Sequence, residues 1–457
     1  MASISQSPDL DKIKTDANFF HIGILGGSTS AGWPYHQYVN IGSFVQAGLG
    51  EINGKKIQID NYSQPGFPIE KTVKKYFSSV KYKPDLLVLY TGQNEYFAYY
   101  PTNGHLPIWY KLLQKSLIGK LLINYIYENQ MNLMDDSYKG NFLYKTPMPY
   151  VIKNYNLLRF EQYAKRLISH CKKYNIAILF IIPTGNALFS PTRSYIENYD
   201  ESIRNNILIL FKQAYKYKYI NKNLAAAEKI FKLIISRYAL AQAYHELGLI
   251  YYNKNMYNEA DYYFEKANDS DDKTYKIKSS YQNSLKRICQ KNKIPFLNVK
   301  EIIKENFFQA VPDYSQFLDG HHLNFRMYCL LAKQIIIFLQ HNYRINSNRN
   351  ISEEEIYNKT IELFKISKEN FLNAEFTQVF WFIMISQMKY IQLPDIEYAQ
   401  NRFESILSKA KRNNLLEKKS VIDTINKITS IGIPALIKRE KEFMDNWLST
   451  NSDYERK

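Results

Sequence analysis

Cysteine is scarce in this chain. Cys171, Cys289 and Cys329 are the only three in 457 residues, too few and too scattered for a disulfide framework or a zinc site. Long apolar runs are lacking too. The longest, at 176–183 and 380–385, fall far short of the roughly 18 residues a spanning helix needs. The N-terminus, MASISQSPDLDKIKTD, is polar and acidic, where a signal peptide is basic and then apolar. We therefore expect a cytoplasmic chain without a structural metal, unless Met1-Ala2-Ser3 replaces a removed leader or anchor. No Gly-x-Gly-x-x-Gly is present and no Gly-Lys-Ser/Thr follows a glycine turn, which excludes dinucleotide-binding and Walker loops.

What is present points to a globular protein. Apolar residues make up 45% and charged residues 23%, a balance that excludes a disordered chain. With 39 Tyr and 26 Phe, a large core is available. The length favours two or three domains. The net charge of +17 invites a nucleic-acid or membrane-surface partner. Yet the lysines are spread through every segment, no helix has a one-sided basic face and no nucleic-acid motif emerges. A solvated basic surface is the expectation, with no nucleic acid as partner.

Five segments rich in β-formers, 19–25, 56–63, 84–91, 176–183 and 294–299, are separated by stretches of helical periodicity such as 40–52, 156–175 and 281–292. Near-continuous apolar strands alternating with helices predict a parallel sheet covered on both faces. Right-handed crossovers then favour an α/β class: a three-layer α/β/α sandwich around a five-stranded parallel sheet, with ligands at the carboxyl ends of the strands. This α/β domain is expected over 1–199 and 276–343, with an aromatic-rich insertion at 96–150.

A second insertion, 200–275, contains a repeat: Leu224, Ala227 and Phe231 recur as Tyr257, Ala260 and Phe264. Together with Tyr244, Leu247, Gly248 and Tyr251, this pattern resembles a tetratricopeptide repeat, whose period is about 34. Its small residues, Gly248 and Ala260, let paired helices approach closely. Such an element implies a protein partner, or equally a brace for the sheet. Residues 344–457 read as a helical appendage without a chemical motif.

Three strand ends carry polar motifs. The first strand runs into Gly26-Gly27-Ser28-Thr29, the second into Asn61-Tyr-Ser-Gln-Pro65-Gly66, and the third into Thr91-Gly92-Gln93-Asn94-Glu95. Further on stands Asp319-Gly320-His321-His322, just before a helix. A serine on a glycine turn is compatible with an exposed nucleophile, and also with a phosphate-cradling turn. An Asp and a His three residues apart suit an oriented general base, and also a helix cap beside a surface histidine.

Taken together and in this order, the four blocks resemble the SGNH (GDSL-type) serine hydrolases, specifically a bacterial branch with a tetratricopeptide element. The resemblance covers about 20–95 and 155–343 outside the insertions. It implies a flavodoxin-like hydrolase fold and no cofactor. It makes Ser28 the nucleophile, His322 the general base and Asp319 the residue orienting it, with an oxyanion hole from the N–H groups of Ser28 and Gly66 and the side-chain amide of Asn94. His321 competes for the base role, and the three-residue step from Asp319 favours His322. The implied activity is cleavage of an O-acyl ester (or a thioester or amide) in an acylated small molecule, lipid or carbohydrate. The alternatives are an O-acyltransferase using the same nucleophile, and an interaction scaffold whose hydrolase portion is inert. Tyr96, Trp109 and Tyr110 follow Asn94 and are candidates for the substrate pocket, or are ordinary lid aromatics. Glu95 receives no catalytic role; a structural cap is an equal reading.

Overall fold

The computed structural model describes residues 8–13, 16–35, 39–95, 143–144, 150–192, 194–195, 201–271, 274–307, 311–343, 351–386 and 393–449. The strands are β1 (Phe19–Gly26), β2 (Glu51–Ile52), β3 (Lys55–Asn61), β4 (Leu86–Tyr90), β5 (Leu143–Tyr144), β6 (Ala177–Ile182), β7 (Ser194–Tyr195) and β8 (Phe296–Asn298). Six of them form the main sheet in the order β2-β3-β1-β4-β6-β8, and β5 pairs with β7 separately. Ile22 stands opposite Ile59 of β3, Ile24 opposite Val88 of β4, and Val88 opposite Leu179 of β6.

Successive residues of the central strands feed two different cores, as the two-residue side-chain period requires. Ile22, Ile24, Val88, Leu179 and Ile181 join one cluster with Phe44 and Tyr328. Leu25, Leu87, Leu89, Ile178 and Phe180 join another with Val73, Phe160 and Leu285. The helices that supply these partners include α1 (Ser28–Ala31), α2 (Ile41–Leu49) and α3 (Ile69–Ser79), together with Tyr150–Lys173, Ser279–Asn292 and Phe325–Tyr343. Cys171, Cys289 and Cys329 are buried thiols within these cores.

The expected three-layer α/β/α sandwich around a five-stranded parallel sheet is corrected. The sheet has six strands and is mixed, because β2 runs antiparallel to β3, and it is curled into a half-barrel within a mostly helical chain. The extra strand comes from Asn53-Gly54, both at positive φ (49° and 76°). An Asn-Gly pair turns the chain in a tight hairpin, so Glu51–Ile52 folds back on Lys55–Lys56. A strand of two residues carries no readable periodicity, and these two looked like the end of helix α2. The curl follows from right-handed strand twist accumulating across the sheet.

In the repeat segment, the helices Leu224–Ile235, Ala241–Asn253 and Tyr257–Ser270 bury Ala227, Phe231, Leu247, Ile250, Ala260 and Phe264 in one cluster, which the last helix enters with Phe443 and Trp447. The C-terminal helices also reach the sheet layers: Ile356 packs beside Gly48 of α2. Among the described residues, no helix is long and apolar enough to cross a membrane.

Gly248 tests how tightly the repeat helices meet. A Cβ added there would lie 2.6 Å from the buried Phe264 ring. In an exposed helix, Gly→Ala gains about 1 kcal/mol; here overpacking reverses the sign, and Gly248→Ala is expected to lose about 1–3 kcal/mol. Urea unfolding measures this, and an unchanged or raised midpoint would mean that the helices part easily.

Candidate active site

The end of β1 is pressed against its neighbour. A Cβ on Gly26 would come within 2.0 Å of the Tyr90 carbonyl, so only glycine lets β1 and β4 stay this close where the chain turns. Ser28 opens α1, with Gly27 as the extended residue before it. The turn is pinned by its own bonds: Ser30 Oγ donates to the Gly27 carbonyl (3.1 Å), and Tyr328 Oη donates to the Thr29 carbonyl (2.6 Å). The nucleophile candidate is thus held on a short, rigid element.

The second half of the site comes from a narrow loop. Phe317 and Leu323 form an antiparallel bridge, and the Leu318 N–H donates to the His322 carbonyl (2.8 Å). Within the loop, Asp319 Oδ1 accepts the backbone N–H groups of His321 and His322, each at 2.9 Å. Its Oδ2 lies 2.7 Å from His322 Nδ1, and His322 Nε2 lies 2.8 Å from Ser28 Oγ. The structure therefore brings Ser28, His322 and Asp319 into one hydrogen-bonded line. A carboxylate at Nδ1 assigns the ring proton to that nitrogen and leaves the Nε2 lone pair for the serine O–H. Trp33 lies against the His322 ring, centroids 4.3 Å apart, and limits how the ring can tilt.

Electrostatics distinguish the two histidines. Burial would raise the Asp319 carboxyl, but His322 and the backbone N–H donors outweigh it and hold the group well below the usual carboxylate range. Asp319 stays ionised beside His322. His321 is pushed down to about 3 by burial and by the neighbouring His322. It remains a neutral imidazole, and its Nδ1 has no hydrogen-bond partner. Ligand atoms of Asp319, His321 and His322 lie within 4.8 Å of one another, which is a metal-like grouping. Both nitrogens of His322 are already engaged, however, so ligation would break the line to Ser28 or to Asp319.

The remaining blocks gather beside Gly27. A Cβ on Gly27 would lie 2.3 Å from Asn94 Nδ2, so that amide sits directly over the turn carrying Ser28. One of its N–H bonds goes to the Phe67 carbonyl (3.1 Å); an amide has a second. Gly66 lies on the same Gln64–Phe67 turn at φ +74°, and the turn is tied to β1 by the Gln64 N–H to the Gly26 carbonyl. Tyr96, Trp109 and Tyr110 lie outside the described residues.

One group escaped the sequence reading and another was left between roles. Trp33 stands four residues after the Gly26–Thr29 block, yet nothing in the pattern aims its ring at His322. Glu95 was open between roles, and the fold gives it a scaffolding one. Fully buried, its Oε1 accepts the Ile69 N–H at the start of α3 (2.8 Å) and the Thr91 hydroxyl (3.2 Å), while Oε2 has no partner. Glu95 thereby fastens the Asn94 loop to the α3 end of the Gly66 turn.

Burial pushes the Glu95 carboxyl up to about 8, against the pull of the Ile69 and Thr91 donors. The folded chain then holds a proton that an unfolded glutamate releases near pH 4–5. Stability contributed by this group therefore falls as pH rises from about 4.5 to 8, by up to ~1.4 kcal/mol per unit. Glu95→Gln removes the slope, so the variant should gain on wild type steadily between pH 5 and 8 and no further above it. Urea melts across that range check this; a stability difference independent of pH would overturn it.

No family model matches the chain, and no curated protein matches it. Among solved structures, it is similar to the crystal structure of a "putative acylhydrolase" from Bacteroides fragilis, with a TM-score of 0.32 and 12% identity over 72% of this chain and 91% of that one.

Proposed function

We propose that this protein is a serine hydrolase that cleaves O-acyl esters through an acyl-enzyme on Ser28, as its resemblance to the SGNH hydrolases implies. The observation that carries the reading is the line from Ser28 Oγ through His322 to Asp319, with steps of 2.8 and 2.7 Å. In the mechanism, His322 Nε2 takes the Ser28 proton as Oγ attacks the acyl carbonyl. Asp319 balances the imidazolium that forms. The oxyanion is met by the Ser28 and Gly66 N–H groups and by the second amide N–H of Asn94. Collapse breaks the ester C–O bond, and His322 returns the proton to the departing alcohol. A water activated by the same nitrogen then releases the acid and frees Ser28. The substrate class we assign is an acylated small molecule, lipid or carbohydrate.

The test is hydrolysis of p-nitrophenyl acetate, butyrate and octanoate. Ser28→Ala and His322→Ala should abolish turnover, and Asp319→Asn should lower kcat by about 10³–10⁴-fold. Asn94→Ala should cost about 10²–10³-fold. A fluorophosphonate should label wild type on Ser28 and leave Ser28→Ala unmarked. Turnover that survives in Ser28→Ala would defeat the proposal.

A further inference from the structure

We infer that Gln378, in the helix Lys368–Ser386 far along the C-terminal region, is a positioning residue for the Asp319–His322 loop and helps to hold the acid–base pair against Ser28. This inference rests on the hydrolase reading above.

The first observation is the neck of the loop. Leu318 precedes Asp319, and its two backbone groups are committed in opposite directions. Its N–H donates to the His322 carbonyl inside the loop, and its carbonyl accepts the Gln378 Nε2–H at 2.5 Å. Gln378 is 0% exposed, and its Oε1 has no partner. Its helix buries Leu372, Phe376, Val379, Phe382 and Ile383 in an apolar cluster. A polar amide in such a place is costly unless its bond is needed; leucine would pack there without that penalty. The bond it makes fixes the residue next to Asp319.

A second observation reaches the loop's apex from the same helix. A Cβ on Gly320 would lie 2.9 Å from the Phe189 ring, and Phe189 stands edge-on to Phe382 at 5.6 Å. The Gly320 carbonyl is also held by the Asn186 N–H (2.9 Å). The loop is therefore gripped at its neck by Gln378 and at its apex through Phe189, with Asp319 between. Misplacing a reacting group by about 1 Å can cost a hundredfold in rate, so the grip on Leu318 bears on how well His322 Nε2 meets Ser28.

The experiment compares full-length wild type with Gln378→Leu, Gln378→Glu and Phe376→Leu, the last a buried change on the same helix whose ring stands against Phe403. Gln378→Leu should keep its fold by circular dichroism while kcat for p-nitrophenyl acetate and the rate of fluorophosphonate labelling fall about 10–100-fold, with KM nearly unchanged. Gln378→Glu can donate only when protonated, so its activity relative to wild type should decline as pH rises from 6 to 9. Phe376→Leu should lower stability and leave kcat alone. Gln378→Leu with wild-type kcat and labelling rate, or an equal loss in Phe376→Leu, overturns the inference. If wild type itself is neither labelled nor active, the hydrolase reading fails, and the downfield proton resonance of His322 Nδ1–H still decides on Gln378. Its loss in folded Gln378→Leu supports the positioning role, and its persistence unchanged removes it.

Discussion

The hydrogen bond between Ser28 and His322 joins residues 294 positions apart, and much of the architecture can be understood as what keeps it short. One end sits on the turn after β1, where Gly26 allows contact with the β4 backbone. The other sits on a loop closed by its own bridge and braced by a helix from the C-terminal region. Neither end alone has a means of finding the other. The sheet and the Phe325–Tyr343 helix set the distance, and Tyr328, from that helix, is bonded to the Thr29 carbonyl in the serine turn.

Burial around this line is used selectively. Asp319, 1% exposed, keeps its charge because the His322 imidazole faces it and N–H donors converge on it. Glu95, equally buried, has fewer donors and is pushed the other way, toward a neutral acid. The difference between the two carboxyls is thus one of neighbouring charge and hydrogen-bond supply, not of depth. The same logic applies to Gln378, whose bond to Leu318 accompanies an unpartnered oxygen. Each of these polar groups is tolerated where it holds a motif-bearing segment in place.

Much of this was legible in the residues. Apolar runs located five of the six strands of the main sheet, and glycine-flanked polar blocks at three of their ends located the segments that meet around Ser28. The three-residue step from Asp319 to His322 allowed a contact at Nδ1 as well as a cap beside a surface histidine, and the fold makes the contact. The hairpin at Asn53-Gly54 was missed even though that dipeptide is a strong turn signal, because the strand before it is too short to display alternation. Gln378 had only a faint signal, a glutamine within an apolar helical run, and nothing in the pattern names its partner.

The sequence by itself determined what is local. It set which segments become strands, which turns tolerate glycine geometry, and which Asp can reach which His, since those relations act over a few residues and follow from backbone periodicity. The tertiary structure alone decided the rest: the mixed, curled sheet, the raised pKa of Glu95 and the reach of the C-terminal helices to Leu318. These depend on contacts between segments tens to hundreds of residues apart. Such contacts are settled by twist, packing and the local supply of hydrogen-bond donors once the chain is assembled.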